Sequence, residues 1–350
     1  MGEGVRVAVL GASGYTGGEL VRLLAGHPSF EVTVLGGQSA AGKTLAEVHP
    51  HLAGLPIAGE VLSAGDPAAL AAAADLVFSA LPHGASAELV PALLAAGLRV
   101  VDLAGDFRLA AQDYPEWYGF AHPAPALLDE AVYGLPELFG EALAGARLVA
   151  NPGCYPTPVI LGCAPLLAAG FLDAGAIRVD GKTGLSGAGR SASEATSFAA
   201  TEDSVRPYRV PRHQHTPEME RGIALATGSA PTVLFVPHLV PTVRGVLTTS
   251  YASLADGAST EVLTACLAAA HADHPFVRVL PPGQMVDSKR VRGTNLVELQ
   301  AVADPRTGTA VIVGAVDNLV KGAAGQAIQN ANLMWGLPEG LGLPTTAVYP

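Results

Sequence analysis

The chain has 350 residues, is 49% hydrophobic and carries a formal net charge of −11 at pH 7. Hydrophobic cores divide beyond ~250–300 residues, so two domains are expected. The acidic balance speaks against a nucleic-acid partner, which needs a basic face, yet a local pocket can oppose the global charge and hold a small anion.

The N-terminus MGEGVRVAVLGASG enters a strand almost at once and lacks the charged region and apolar run of a signal peptide. The longest apolar run, near 159–172, contains Pro165 and Gly170 and is too short to span a bilayer. The expectation is a soluble, cytoplasmic protein with no membrane partner. Cys154, Cys163 and Cys266 are irregularly spaced, which fits neither a disulfide framework nor a zinc site.

Residues 5–36 read as one strand–turn–helix–strand unit. Val5, Val7, Val9 and Leu10 predict a buried parallel strand, Leu20, Leu23 and Leu24 a helix face, and FEVTVLGG the next strand. Gly11, Gly14 and Gly17 fall in the turn and the first helical turn as G-x-x-G-x-x-G. Glycines there let backbone approach a pyrophosphate, and the helix N-terminus supplies N–H groups and positive potential. The alternative is a tight packing turn. An NAD site usually places Asp or Glu at the end of the second strand, on the ribose 2′-OH. This chain has LGGQSAAGK there, so Ser39 and Lys43 are candidates for the 2′-phosphate of NADP.

ADLVFSALPHG (74–84) reads as a strand ending in a loop near the coenzyme, and LRVVDLAGDFRL (98–109) as another that finishes on Asp106 and Arg108. Ligands of such sheets bind at the carboxyl ends of strands, which places Arg108 to meet an anion. An ion pair with Asp106 is the bland alternative.

LVANPGCYPTP (148–158) puts a thiol in a turn between a strand and a helix. Thr157 suits the N-cap, Pro158 the first helical position, and VILGCAPLLAAG the helix. A cysteine just before a helix N-terminus has its thiolate favoured, below the ordinary thiol value of ~8.5. Gly153 keeps the sulfur uncrowded. Cys163 and Cys266 read as inert helix core. A thiolate nucleophile usually has a partner base, and the informative pair is His213 and His215 in PRHQHTPEMERG. Thr216 and Pro217 mark a helix start, so the helix dipole favours a neutral His215, while Glu218 and Glu220 oppose it. Either histidine fits the proton-transfer role.

The loop DGKTGLSGAGRSASEA (180–195) offers backbone N–H groups for an anion nest. From Ile177 onward, IRVDGKT, TVLFVPHLV, GVLTTSYASL, FVRVL, LVELQAVADP and TAVIVGAVDN predict a mostly antiparallel sheet, with helices at 216–226 and 259–272. A sheet face of this size often packs on a second subunit, so an oligomer is expected. A last helix is predicted to start at Lys321, capped by Asp317 and Asn318.

GASGYTGGEL, LPHG, GDFRL, YGLPEL, NPGCYPT, GLSGAGR, HQHTPEM and DNLVKGAAGQAIQN together resemble the N-acetyl-gamma-glutamyl-phosphate reductase family over essentially the whole chain. The resemblance implies an α/β fold: a Rossmann domain over 1–150, completed by a C-terminal helix in 320–350, and an α+β catalytic and dimerisation domain of the glyceraldehyde-3-phosphate dehydrogenase type over 151–319. It implies NADPH, an acyl-phosphate substrate, Cys154 as nucleophile, His215 as acid/base and a homodimer or homotetramer. The candidate coenzyme contacts are Gly11, Ser13, Gly14, Tyr15, Thr16 and Gly17, then Ser39 and Lys43, Ser79 and Pro82, and Ser186, Gly187 and Asn318, the last near the nicotinamide in the family pattern. Arg108, His213 and Arg244 are the candidate substrate contacts. Pro158 stands where the family more often has Ala or Gly, and Arg190 where Lys is common.

Overall fold

The computed structural model describes residues 4–64, 67–173 and 175–349. They form two compact units, Met1–Pro152 with Ala323–Leu343, and Gly153–Gly322 with Pro344–Pro350. The expectation assigned all of 320–350 to the first domain. Instead the described residues 344–349 fold with the second, where Asn295 N–H donates to Pro344 O (2.8 Å) and Val348 N–H to Arg292 O (3.3 Å). No described helix is long and apolar enough to cross a membrane.

The first unit is built on a six-stranded sheet: β1 (Val5–Leu10), β2 (Phe30–Gly36), β3 (Leu76–Ser79), β4 (Arg99–Asp102), β5 (Val132–Tyr133) and β6 (Leu148–Ala150). All neighbours are parallel, in the order β2-β1-β3-β4-β6-β5. The chain steps from β1 to one side and then returns to the other, so the crevice at the carboxyl ends of β1 and β3 is the ligand-binding point of such a sheet. Val7, Ala8, Val9, Leu76, Val77, Phe78, Val100 and Val101 are fully buried, as strands covered on both faces must be.

The helix Gly325–Met334 is polar yet buried: Gln326, Gln329, Asn330 and Asn332 have no exposed surface. Burying amides is tolerable only when they are bonded. Asn330 Nδ2 donates to Gly134 O (2.8 Å) and Asn151 Oδ1 (3.0 Å), Gln326 Nε2 to Gly134 O (3.1 Å), and Asn332 Oδ1 pairs with His27 Nε2 (3.0 Å). These bonds tie the helix to β5, β6 and the end of the first helix. The helix begins four residues later than expected, after a π-turn at Val320–Ala324 that contains Lys321.

The second unit carries a seven-stranded sheet: β7 (Ala176–Thr183), β8 (Arg206–Pro207), β9 (Thr232–Leu239), β10 (Val246–Ser253), β11 (Val277–Val279), β12 (Val297–Asp304) and β13 (Thr309–Val316). Its order is β11-β12-β13-β10-β7-β9-β8. The pairs β7–β9 and β11–β12 are parallel and the other four antiparallel, so the sheet is mixed. The helices Pro156–Ala168, His215–Thr227 and Thr260–Ala270 pack on one face. The other face is open enough to leave Leu234 49% and Tyr251 39% exposed while Val233 and Phe235 beside Leu234 are buried. Pro158 has a specific seat: a Cβ built on Gly314 of β13 falls 2.7 Å from Pro158 Cβ, so the glycine makes room for the ring.

Candidate active site

In the first unit, Gly11 ends β1 at φ +79°, and a Cβ there falls 2.2 Å from Ala80 O. A Cβ on Gly17 falls 2.2 Å from Gly11 O, so the helix Tyr15–Leu24 can start this close to β1 only with glycines at both positions. Gly14 is the N-cap, no side chain caps the helix, and no acid stands in its first turn, which contains Tyr15 and Thr16. Ser13 Oγ lies 3.3 Å from Ser39 Oγ, and Lys43 is exposed on the loop after β2. The turn thus brings a helix N-terminus and two hydroxyls together, with no acid in the first helical turn. His49, which the sequence reading passed over, supports the turn from beneath. It is buried, its Nε2 is 2.8 Å from Ala12 O, and a Cβ on Gly18 falls 2.7 Å from its ring. Two adjacent glycines at the start of a helix were the available signal of a close neighbour.

Two strand ends differ from expectation. Ser79 has no exposed surface; its Oγ is 2.9 Å from Ser86 Oγ, which donates to Asp102 Oδ1 at 2.5 Å. The hydroxyl serves the protein rather than a coenzyme, whereas Pro82 is exposed in the following turn. Asp102 also accepts the N–H groups of Ala104, Gly105 and Asp106, and burial, with Asp106 beside it, pushes its carboxyl up to about 6. Asp106 caps the helix Ala85–Ala95 through Gly84 N–H (2.8 Å) and Ala87 N–H (2.9 Å). Arg108 is buried rather than open to solvent, and its Nη2 donates to Leu103 O (3.0 Å).

In the second unit, Cys154 directly precedes Tyr155, the N-cap of the helix Pro156–Ala168. The helix starts earlier than predicted because Pro156, not Pro158, takes the first position, and Thr157 Oγ1 donates back to Gly153 O (3.1 Å) instead of capping. Thr157 N–H also goes to Gly153 O (3.2 Å). Cys154 is half-buried. Cys163 has no exposed surface and burial pushes its thiol up to about 12; burial raises Cys266 as well. Cys154 is the thiol that stands at a helix start.

The structure brings His215 to this turn. It opens the helix His215–Thr227, and a Cβ on Gly153 falls 2.5 Å from His215 Nε2. Gly153 seats the imidazole, whose ring a Cβ at this position would enter. From the other side a Cβ on Gly322, in the π-turn, falls 2.7 Å from Cys154 Cβ. His213 is 4% exposed, packed edge-on against Tyr155, Tyr208 and Phe235. Its Nδ1 accepts His215 N–H (3.1 Å), which requires an unprotonated Nδ1 and caps the helix. Its ring also meets that of His215 edge-on, 4.7 Å between centroids. Burial raises Tyr155 strongly and pushes Tyr208 up to about 12, so both phenols stay neutral.

The loop after β7 is not the anion nest expected. Gly184, Leu185 and Ser186 N–H groups bond Gly245, Thr242 and Val243 carbonyls, and Gly187 and Gly189 bond within the loop. Asn318 Nδ2 donates to Ser186 Oγ (2.9 Å) while its Oδ1 accepts Gly245 N–H (2.8 Å), so Asn318 braces Ser186 to Gly245. Arg244 Nε lies 3.0 Å from Asp317 Oδ2, and Asp317, fully buried, also accepts Gly293 N–H (2.7 Å).

Comparison with known proteins agrees with both units. Residues 6–146 match the semialdehyde dehydrogenase NAD-binding domain, and residues 154–318 the semialdehyde dehydrogenase dimerisation domain. The chain is 48% identical over 350 residues to N-acetyl-gamma-glutamyl-phosphate reductase of Symbiobacterium thermophilum, covering 99% of each chain. It is 46% identical over 351 residues to the protein of that name from Magnetococcus marinus, covering 100% of each. Solved structures share the fold at lower identity. Aspartate semialdehyde dehydrogenase II of Vibrio cholerae matches with a TM-score of 0.71 at 18% identity, over 94% of this chain and 98% of that one. The Candida albicans enzyme, solved with NADP, matches with a TM-score of 0.71 at 20% identity over the same shares. A cysteine turn faced by a histidine, a glycine turn opening a parallel sheet and full-length relatives of this similarity place the chain in the N-acetyl-gamma-glutamyl-phosphate reductase family.

Proposed function

We propose that the chain reduces N-acetyl-L-glutamyl 5-phosphate to N-acetyl-L-glutamate 5-semialdehyde and phosphate, with NADPH as reductant and Cys154 as nucleophile. The observation that carries this reading is the imidazole of His215 seated on Gly153, the residue directly before Cys154. His215 takes the thiol proton as sulfur attacks the acyl carbon, the acyl–oxygen bond breaks, and phosphate leaves a thioester on Cys154. NADPH, when bound, supplies the two-electron reducing equivalent that turns the thioester into the aldehyde. His215 returns a proton as the sulfur departs. A thioester suits this step because it is a far better electrophile than a carboxylate.

The cradle of the first unit fits the coenzyme. Gly14 heads a helix without a side-chain cap or an acid in its first turn, and Ser13 and Ser39 pair their hydroxyls at the end of β2. Gly11, Tyr15, Thr16 and Gly17 would hold the pyrophosphate side, and Ser39 with Lys43 the 2′-phosphate, which favours NADP over NAD. Arg108 and Arg244 are proposed as contacts of the substrate's anionic groups, since a guanidinium matches carboxylate and phosphate geometry. The open face of the seven-stranded sheet, with Leu234 and Tyr251, is proposed to bury against a second copy in a homodimer or homotetramer. A cytoplasmic setting would keep the thiol reduced. The test is the reverse reaction: NADP reduction with N-acetyl-glutamate semialdehyde and phosphate. Phosphate-dependent turnover abolished by Cys154→Ala supports the reading; turnover retained by that variant contradicts it.

A further inference from the structure

We propose that Glu218 is a positioning residue that holds the Cys154 turn in register with His215. The inference rests on the reading of Cys154 and His215 given above. Glu218 lies three residues after His215 on the same helix, which puts both side chains on one face, directed back toward the helix start. It has no exposed surface, and its Oε1 accepts the N–H of Gly153 at 2.7 Å. Gly153 therefore has both its sides taken by one helix: its N–H by Glu218 and its α-carbon by the His215 ring. A charge-assisted bond to a buried carboxylate is strong, and leaving that carboxylate without its donor is costly. The turn cannot slide away from the imidazole without breaking it. Glu220, two residues on, has a different duty, accepting Val233 N–H (2.8 Å) and so tying the helix to β9. By sequence the two glutamates look alike, as early acids of one helix; in the structure they have separate partners.

Reach and charge can be tested apart. Glu218→Gln keeps the acceptor and loses the charge; Glu218→Asp keeps the charge but falls one methylene short of Gly153. The proposal predicts that kcat in Glu218→Gln stays within about tenfold of wild type. In Glu218→Asp it should fall ~10²-fold, the cost of an ångström-scale misplacement, with the KM for NADPH unchanged. Glu220→Asp should leave kcat at its wild-type value. Wild-type kcat in Glu218→Asp, or a loss in Glu218→Gln equal to that in Glu218→Asp, overturns the proposal. Should Glu218→Asp fail to fold, amide hydrogen exchange in the wild-type protein decides: Gly153 N–H should be among the protected amides, and rapid exchange there refutes the clamp. Cys154→Ser run in parallel separates the two readings. Activity retained in that variant sinks the nucleophile, whereas an inactive Cys154→Ser beside a fully active Glu218→Asp sinks the clamp alone.

Discussion

Two strand-to-helix turns, Gly11–Gly17 in the first unit and Gly153–Tyr155 in the second, are built from the same local pieces. Each follows a parallel strand, each uses glycine where a Cβ would collide, and each ends at a helix N-terminus. They differ in what fills the space. At Gly11 and Gly17 the colliding atoms are the backbone of Ala80, Gly11 and Ala12, so the glycines compact the turn and leave the helix start uncapped by side chains. At Gly153 and Gly322 the atoms belong to His215 and Cys154 themselves. The first turn is closed by its own backbone; the second is packed by the side chains of His215 and Cys154, the pair proposed above to carry the chemistry.

The comparison predicts losses of different kinds. The largest is Cys154→Ser, where kcat should fall on the order of 10⁴-fold or more while NADPH binding is unchanged, read by steady-state kinetics and coenzyme fluorescence titration. Retention of NADPH binding is what marks this turn as chemical. Next is Gly153→Ala, whose methyl would enter the His215 ring and displace it; a ~10²-fold drop in kcat is expected. A wild-type rate there would mean that the close seat of the imidazole is irrelevant. At the other turn Lys43→Ala should raise the KM for NADPH about tenfold with kcat preserved and NADH use unaffected. Equal losses with both coenzymes would remove Lys43 from the 2′-phosphate.

A further effect, outside both turns, is on stability. Burial raises Asp102 from 3.8 to about 6, so between those values the folded chain binds more protons than the unfolded one. Stability from this group is greatest below about pH 4 and declines as pH rises to about 6, by at most about 3 kcal/mol. Denaturant unfolding from pH 4 to 7 should show wild type losing stability relative to Asp102→Asn across that window. A constant difference would contradict the raised carboxyl.

What was legible in the sequence was whatever a short window encodes. Alternating and continuous apolar runs located β7, β9, β10, β12 and β13, and the glycine spacing located the first helix. The start of the helix at Pro156 is not legible because Pro156 and Pro158 both suit a first turn, and only the bond from Thr157 to Gly153 decides between them. The partners of the turns were not legible at all. Glu218 meets Gly153 across 65 positions and His49 meets Ala12 across 37, distances over which no local pattern carries a signal. Ser79, Ser186 and Asn318 illustrate the same limit: their residue types suit ligand contact, and the fold spends them on Ser86 and on each other.

The most direct test of the account is to mix the protein with N-acetyl-glutamyl phosphate in the absence of NADPH and map the acylated peptide by mass spectrometry after acid quench. The account predicts one N-acetylglutamyl group, labile to hydroxylamine, on Cys154, with Cys163 and Cys266 unmodified. Full turnover on adding NADPH without any adduct at Cys154, or with the acyl group on another residue, would contradict it.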